Sequence, residues 1–516
     1  SNGRSLYTLY VHSQIGALVG HWAEPGVHAD ADSEVDLERN DELLQSMEPV
    51  LEAFPPDLVK YGWNFEVESG GWDGPGYDSA FSQHDFDDGE GDDIFQDHDR
   101  DPYPSPHGSG EVAVTFSESK YSVWTNDFHI ATVANVKSLL KPKGVVFVDK
   151  SLSGHCHDTD TCAYDLKVLT PENGMTPDSS TRDRFVEAYK EDQQMAKVDI
   201  VMCFHPSAMC ELFMPLKKRL FVIASTRYEL GRESASDWKQ WNQNLLQISK
   251  EPGNLVAANN LYDAKYIEHF TGLKPVLLPS WIRMDESDMY TGISEDILVA
   301  PIHTSSAEKI EKKLKSISPR FRSIKEKYGH YTFSQLAENC AIIHIPYQVS
   351  IMSLFEQYAM GIPILAPTPA FLWELHEKLD VMNERTWERI RTGRRPSGSP
   401  IAGVKEGRHD PNNDIDRDAF LHWVQYADVY QWPHIVQFNS WKDLRRQLEE
   451  TDWEVVSDEM LGFVKRAIDK TSAEWTKILD QTDNYAPDTV QVDDGSAPAS
   501  DLATYLSEFM QSVHLW

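Results

Sequence analysis

The segment from Pro346 to Pro363 carries the densest set of groups able to do chemistry. The apolar run CAIIHIP (340–346) reads as a buried strand ending at Pro346. A helix is expected to open near Ser350 and to end at Gly361, where glycine permits a left-handed turn. Pro363 then starts the next strand. A helix N-terminus at the carboxyl end of a buried strand presents unpaired N–H groups and the positive end of the helix dipole, which suits a diphosphate. Ser350 and Ser353 add hydroxyl donors, and Glu356 can accept hydrogen bonds from a ribose diol. Tyr347 and Gln348 occupy the loop, where an aromatic ring can meet a base or ribose. The plainer alternative is an ordinary helix on a sheet, with Glu356 solvated or paired and Tyr347 in the core.

Other strand ends carry groups of the same kind. His303, Thr304 and Ser305 follow the run DILVAPI (296–302). Their hydroxyls and the helix start at Ser306 suit an anion, and they equally suit a simple helix cap. Thr226 and Arg227 follow RLFVIA (219–224), and an arginine fork there can clamp phosphate or carboxylate oxygens. A surface pair of Arg227 with Glu229 is the alternative. Asn259, Asn260 and Tyr262 are similarly placed. Asp127 and His129, beside Trp124 and Phe128, could take a proton from an attacking hydroxyl; Asn126 or Asp127 could instead cap a helix. His205 is a further candidate base.

Positioning such groups requires alternating strands and helices. Strands are expected at 5–12, 58–68, 112–116, 144–149, 198–204, 219–224, 254–258 and 275–279, then at 296–302, 340–346 and 363–367. Helices are expected at 181–195, 234–249, 262–270, 306–327, 350–360 and 457–480. Apolar runs flanked by helices imply parallel sheets covered on both faces. Residues 70–110 and 391–416 read as long loops. The expected division is an N-terminal α/β domain over 1–285, a C-terminal one over 286–480 with a closing helix, and an acidic tail over 481–516.

The chain has 516 residues, a length that favours two cores over one. Its formal net charge of −34 would repel a phosphate backbone, which excludes nucleic acid as a partner. Nine acidic residues crowd 85–101, a run expected to stay solvated, with calcium as the alternative occupant. Of the five cysteines, Cys156 with Cys162 and Cys203 with Cys210 bracket short loops, leaving Cys340 odd. This suits local disulfides in a secretory lumen, or reduced thiols in a cytosol. His155, Cys156, His157 and Cys162 do not follow a familiar zinc spacing.

Ser353-x-x-Glu356-x-x-Ala359-x-Gly361-x-Pro363 resembles the donor-site signature of GT-B glycosyltransferases. The resemblance implies two Rossmann-like domains facing each other across a cleft. It implies a nucleotide-sugar donor (UDP- or GDP-linked) with its ribose on Glu356, and a glycan, glycoprotein or other hydroxyl acceptor on the N-terminal domain. Retaining members carry a second Glu where this chain has Gln348, which leaves retention or inversion open. Such enzymes usually need no bound metal; Asp158-x-Asp160 resembles the metal motif of the other fold, GT-A. A Golgi or secretory lumen is expected, with a membrane anchor ahead of Ser1, and the cytoplasm is the alternative. A nucleotide-sugar epimerase of the same architecture and a non-catalytic carbohydrate-binding protein are the competing readings.

Overall fold

The computed structural model describes residues 120–404 and 409–481. The expected strands at 5–12, 58–68 and 112–116, the acidic run at 85–101 and the tail beyond 481 lie outside the described residues.

The apolar runs become two all-parallel sheets. The first comprises β1 (Tyr121–Asp127), β2 (Val145–Ser151), β3 (Ile200–Cys203), β4 (Arg219–Ala224), β5 (Leu255–Ala258) and β6 (Val276–Leu277), in the order β2-β1-β3-β4-β5-β6. Helices α1 (Ile130–Leu140), α2 (Ser179–Tyr189), α3 (Ala235–Lys250) and α4 (Leu261–Thr271) alternate with these strands. The second sheet comprises β7 (Ser294–Val299), β8 (Phe321–Ser323), β9 (Asn339–Ile343), β10 (Ile364–Pro367) and β11 (Val436–Phe438), in the order β11-β10-β9-β7-β8. With it go α5 (Ala307–Ile317), α6 (Met352–Ala359), α7 (Pro369–Leu379), α8 (Trp387–Thr392), α9 (Arg417–Val424), α10 (Trp441–Glu450) and α11 (Trp453–Asp480). The expected pair of Rossmann-like α/β domains is what the chain forms. Central strands β3, β5, β9 and β10 are buried along their whole length, which explains their continuous apolar sequences.

Three elements differ from expectation. β1 is a strand despite Ser122, Thr125, Asn126 and Asp127, because the Ser122 N–H and the Thr125 and Asn126 side chains find partners on or beside the neighbouring strands, while Ser122 Oγ has none. Ser122 N donates to Asp199 Oδ2 at 2.8 Å, Thr125 Oγ1 to Asp149 Oδ1 at 2.9 Å, and Asn126 Nδ2 to the Lys150 carbonyl at 2.7 Å. The expected helix over 306–327 stops at Ile317, and Phe321–Ser323 form β8. Pro319 has no N–H to donate, so the helix could not continue through it. The stretch 391–416 is not a plain loop. It begins within α8, and the buried Arg385 holds its far end by bonds to Asp414 Oδ1 at 2.8 Å and to the Pro411 and Asn413 carbonyls at 2.8 and 2.9 Å.

Helix α11 belongs to both domains. Its first half packs on the second domain, where Phe463 meets Tyr358, and on Trp281 of the connection between the domains. Its last turns lie on the first domain, where Trp475 stacks on Phe221 and Tyr121 Oη donates to the Leu479 carbonyl at 2.6 Å. No helix among the described residues is long and apolar enough to cross a membrane.

Candidate functional site

The loops after β1, β3, β4 and β5 of the first sheet and after β7 and β9 of the second carry most of the residues singled out from the sequence. Carboxyl ends of parallel strands are where open α/β sheets bind ligands.

Three segments meet on Glu384, just before α8. His303, after β7, has Nδ1 2.7 Å from Glu384 Oε1. The His303 ring stacks on Tyr347, after β9, with centroids 3.8 Å apart and planes 17° from parallel. The Glu384 N–H donates to the Tyr347 carbonyl at 3.1 Å. From the first domain, Arg227 donates through Nη1 to the Glu384 carbonyl. Arg227 is only 2% exposed, its Nε has no hydrogen-bond partner, and its φ is +36°. A non-glycine residue held there stores about 1–3 kcal/mol of strain, which is commonest at functional sites. Glu384 itself was not found from the sequence. It lies past the end of α7 in a stretch with no periodic pattern, and only its contacts reveal it.

Thr226 is buried beside Arg227. Thr304 Oγ1 donates to the Leu379 carbonyl at 2.8 Å and accepts from the Ser306 N–H at 3.3 Å, while Ser305 is exposed. Gln348 is buried in the loop after β9.

Helix α6 opens at Met352, not near Ser350, with Ile351 as a cap that offers no side-chain bond. Ser350 is drawn away because its Oγ donates to the buried Asp428 Oδ2 at 2.6 Å. Ser353 lies in the first turn. Glu356 is 2% exposed and its Oε1 has no hydrogen-bond partner. Burial alone pushes its carboxyl up from 4.5 to about 8. Gly361 ends the helix as expected, at φ +78°, with its N–H on the Tyr358 carbonyl and that of Ile362 on Gln357. A Cβ there would stand 2.7 Å from Leu461.

Asp127 and His129 form a second group at the end of β1. Asp127 Oδ1 accepts from the His129 N–H at 2.9 Å and from Ser151 Oγ at 3.1 Å. Asp127 therefore steadies the start of α1, but the cap position itself is His129, without a side-chain bond. Burial raises the Asp127 carboxyl to about 7, against the opposing pull of the Ser151 hydroxyl and of Lys137. The His129 and His205 rings meet edge to face at 5.8 Å.

Both local cysteine pairs are disulfides, Cys156–Cys162 and Cys203–Cys210, and Cys340 is a buried free thiol. Ligand atoms of Cys156, His157 and Cys162 lie within 4.8 Å of one another, but the two sulfurs are bonded together and offer no thiolates. Asp158 Oδ2 faces His155 Nδ1 at 3.6 Å.

No family model and no curated protein sequence matches the chain. Solved structures similar to it include the glycosyltransferase SnogD from Streptomyces nogalater, at 10% identity over 70% of this chain and 100% of that one, with a TM-score of 0.36. CalG4, the calicheamicin glycosyltransferase, is similar at 9% identity over 71% of this chain and 99% of that one, with a TM-score of 0.37. UGT89C1 of Arabidopsis thaliana, complexed with quercetin, is similar at 9% identity over 71% and 99%, with a TM-score of 0.39.

Proposed function

We propose that this chain is a glycosyltransferase that holds a nucleotide-diphosphate sugar between its two Rossmann-like domains and passes the sugar to a hydroxyl of a glycan or glycoprotein. The observation that carries this reading is the meeting of Arg227, His303 and Tyr347 on Glu384, at strand ends of both sheets. Glu356 receives the ribose hydroxyls. The start of α6 at Ser353, with the His303–Ser305 loop and Arg227, faces the diphosphate. Charge on the leaving diphosphate is where fixed donors help most.

In a direct displacement the acceptor oxygen attacks the anomeric carbon as its proton passes to Asp127 or His129. The bond to the diphosphate breaks, and its electron pair leaves with the nucleotide. A carboxyl near 7, as Asp127 has, suits a base working at neutral pH. No bound metal takes part. The two disulfides suit an oxidising compartment, the Golgi or secretory lumen.

The test is a thermal-shift panel of UDP, GDP, CMP and their sugars, with and without EDTA, because a ligand selective for the native state raises its stability. A shift with one diphosphate that EDTA leaves intact is expected. No shift with any nucleotide overturns the reading, and a shift abolished by EDTA overturns its metal independence.

A further inference from the structure

An acid-rich seam joins the two domains beside the loop after β9. On the first domain, Asp263 sits fully buried in the first turn of α4. Asn260 caps that turn: its Oδ1 accepts from the Asp263 N–H at 2.8 Å, and its Nδ2 donates to Asp263 Oδ2 at 2.6 Å. Against α4 packs a short helical turn of the second domain, Asp428–Gln431, whose leading Asp428 is buried. Asp428 Oδ2 accepts from Ser350 Oγ at 2.6 Å, and the Asp428 N–H donates to the Val349 carbonyl at 3.2 Å. Asp428 thereby ties the loop that carries Tyr347 and Gln348 to the face of the first domain. Glu229, after β4, lies in the same seam. Its Oε1 accepts from Tyr266 Oη of α4 at 2.8 Å, and Tyr266 Oη accepts from Asn412 Nδ2 of the second domain at 2.7 Å.

The charges of the seam do not balance. Among the described residues, three buried carboxyls, Glu229, Asp263 and Asp428, stand against the guanidinium of Arg227, which faces Glu229 and Asp263. Arg385 reaches Tyr262 of α4 but is committed to Asp414, which His376 also faces. Lys265 of α4 pairs with Glu268, and Tyr430, on the turn of Asp428, donates its hydroxyl to the Pro367 carbonyl. With all three carboxyls ionised, the seam would keep uncompensated negative charge away from water, which is costly. Protons relieve it. Burial raises Asp263 to about 6, against the pull of the Asn260 amide and of Arg227, and raises Glu229 to about 7. Burial also holds Asp428 well above the ordinary carboxylate range, against the Ser350 hydroxyl, and the Asp263 charge adds to the rise.

We propose that Asp263 and Asp428 form a proton-dependent latch between the two domains: while at least one of them holds a proton the seam stays shut, and when both have lost theirs to solvent, their repulsion lets the domains part and loosens the Val349–Ser350 loop. Each carboxyl binds its proton more tightly in the shut seam than in water. The shut state therefore binds more protons than the open one. Its advantage is fully present below the ordinary value of 3.8 and is lost as pH rises through about 6 and beyond. The consequence for the donor, entry favoured at neutral pH and hindered in acid, rests on the glycosyltransferase reading; the latch itself does not.

Hydrogen exchange read by mass spectrometry on the whole ligand-free chain tests it, at pH 5.5, 6.5 and 7.5 and corrected for intrinsic exchange. Amides of 259–266 and 426–431 report the seam. Their opening should become more frequent by up to about tenfold per pH unit for each proton lost. Asp428→Asn keeps an acceptor for Ser350 but cannot ionise, so it should flatten that slope; Asp263→Asn, on the other side of the seam, should do the same. Protection in the wild-type chain that does not change with pH overturns the latch without any variant. So does a wild-type slope that persists in a folded Asn variant. UDP association is followed by stopped flow on the same proteins, and it should quicken with pH in the wild type more than in Asp428→Asn. Equal pH dependence in the two refutes the link to donor entry. Failure to bind UDP or GDP at any pH, with the exchange slope present, sinks the donor reading and leaves the latch standing.

Discussion

Replacing Glu356 by Gln tests the centre of the donor assignment. The carboxyl is buried, lacks a partner for Oε1, and is raised by burial from 4.5 to about 8. Its folded value lies above its unfolded one. Its contribution to stability is therefore fully present below pH 4.5 and is lost as pH rises toward 8. Within that window the loss is about 1.4 kcal/mol per pH unit. Gln cannot ionise, so the variant escapes this loss. Urea denaturation at pH 5.5 and 7.5 should show the stability difference moving in favour of Glu356→Gln by about 3 kcal/mol across those two units. Nucleotide binding should run the opposite way. Ribose hydroxyls favour the ionised carboxylate, so donor binding near pH 7 should release a proton, seen by calorimetry in buffers of different ionisation enthalpy. The variant should release fewer protons and bind about 10- to 150-fold more weakly, the equivalent of about 1.5–3 kcal/mol. Parallel stability–pH curves for the two proteins would refute the buried, raised carboxyl. Unchanged nucleotide affinity would refute the ribose contact.

Asp127→Asn should lower kcat by about 10²–10⁴-fold at unchanged nucleotide affinity, and wild-type kcat should rise through about pH 7; a flat profile with full activity in the variant would remove Asp127 from the chemistry. Asp414→Asn strands the fully buried Arg385 and should cost about 3–5 kcal/mol, read from the urea midpoint; a loss under 1 kcal/mol would show that the pair is not what holds the 391–416 stretch. Gly361→Ala must adopt φ +78° and push against Leu461, and should lower stability by about 1–3 kcal/mol. Thiol titration of the unfolded, unreduced protein should count one cysteine, Cys340, rising to five after reduction; five without reductant would exclude both disulfides.

Central strands were legible because burial on both faces demands continuous apolar sequence, as in RLFVIA and CAIIHIP. The end of α6 was legible because only a left-handed turn calls for glycine at 361. Its start was not, because Ser350 is spent on Asp428, a residue 78 positions away. β1 escaped notice because the Thr125 and Asn126 side chains are paired with Asp149 and Lys150, and such pairing leaves no local signal. Glu384 escaped for the same reason: its partners His303 and Arg227 lie 81 and 157 positions away. Arg227, His303 and Tyr347 were found one by one at strand ends, and their convergence appears only in three dimensions.

Helix α11 constrains how the two domains can part. A rod of 28 residues spans about 42 Å, and this one is fastened near Phe463 to one body and near Trp475 and Leu479 to the other. Two bodies fixed to one stiff rod cannot swing freely. They must twist about its axis, slip at one fastening, or bend the rod between them. Gly462 stands beside the first fastening, where a missing side chain costs the helix about 0.5–1 kcal/mol relative to alanine. On the proposed donor reading, admitting a nucleotide to the buried Gln348 and Glu356 would then be a bending problem as much as a binding one. On the same reading, the stiffness of this helix, which packs on α6 through Leu461 and Phe463, would set how readily the nucleotide gains entry.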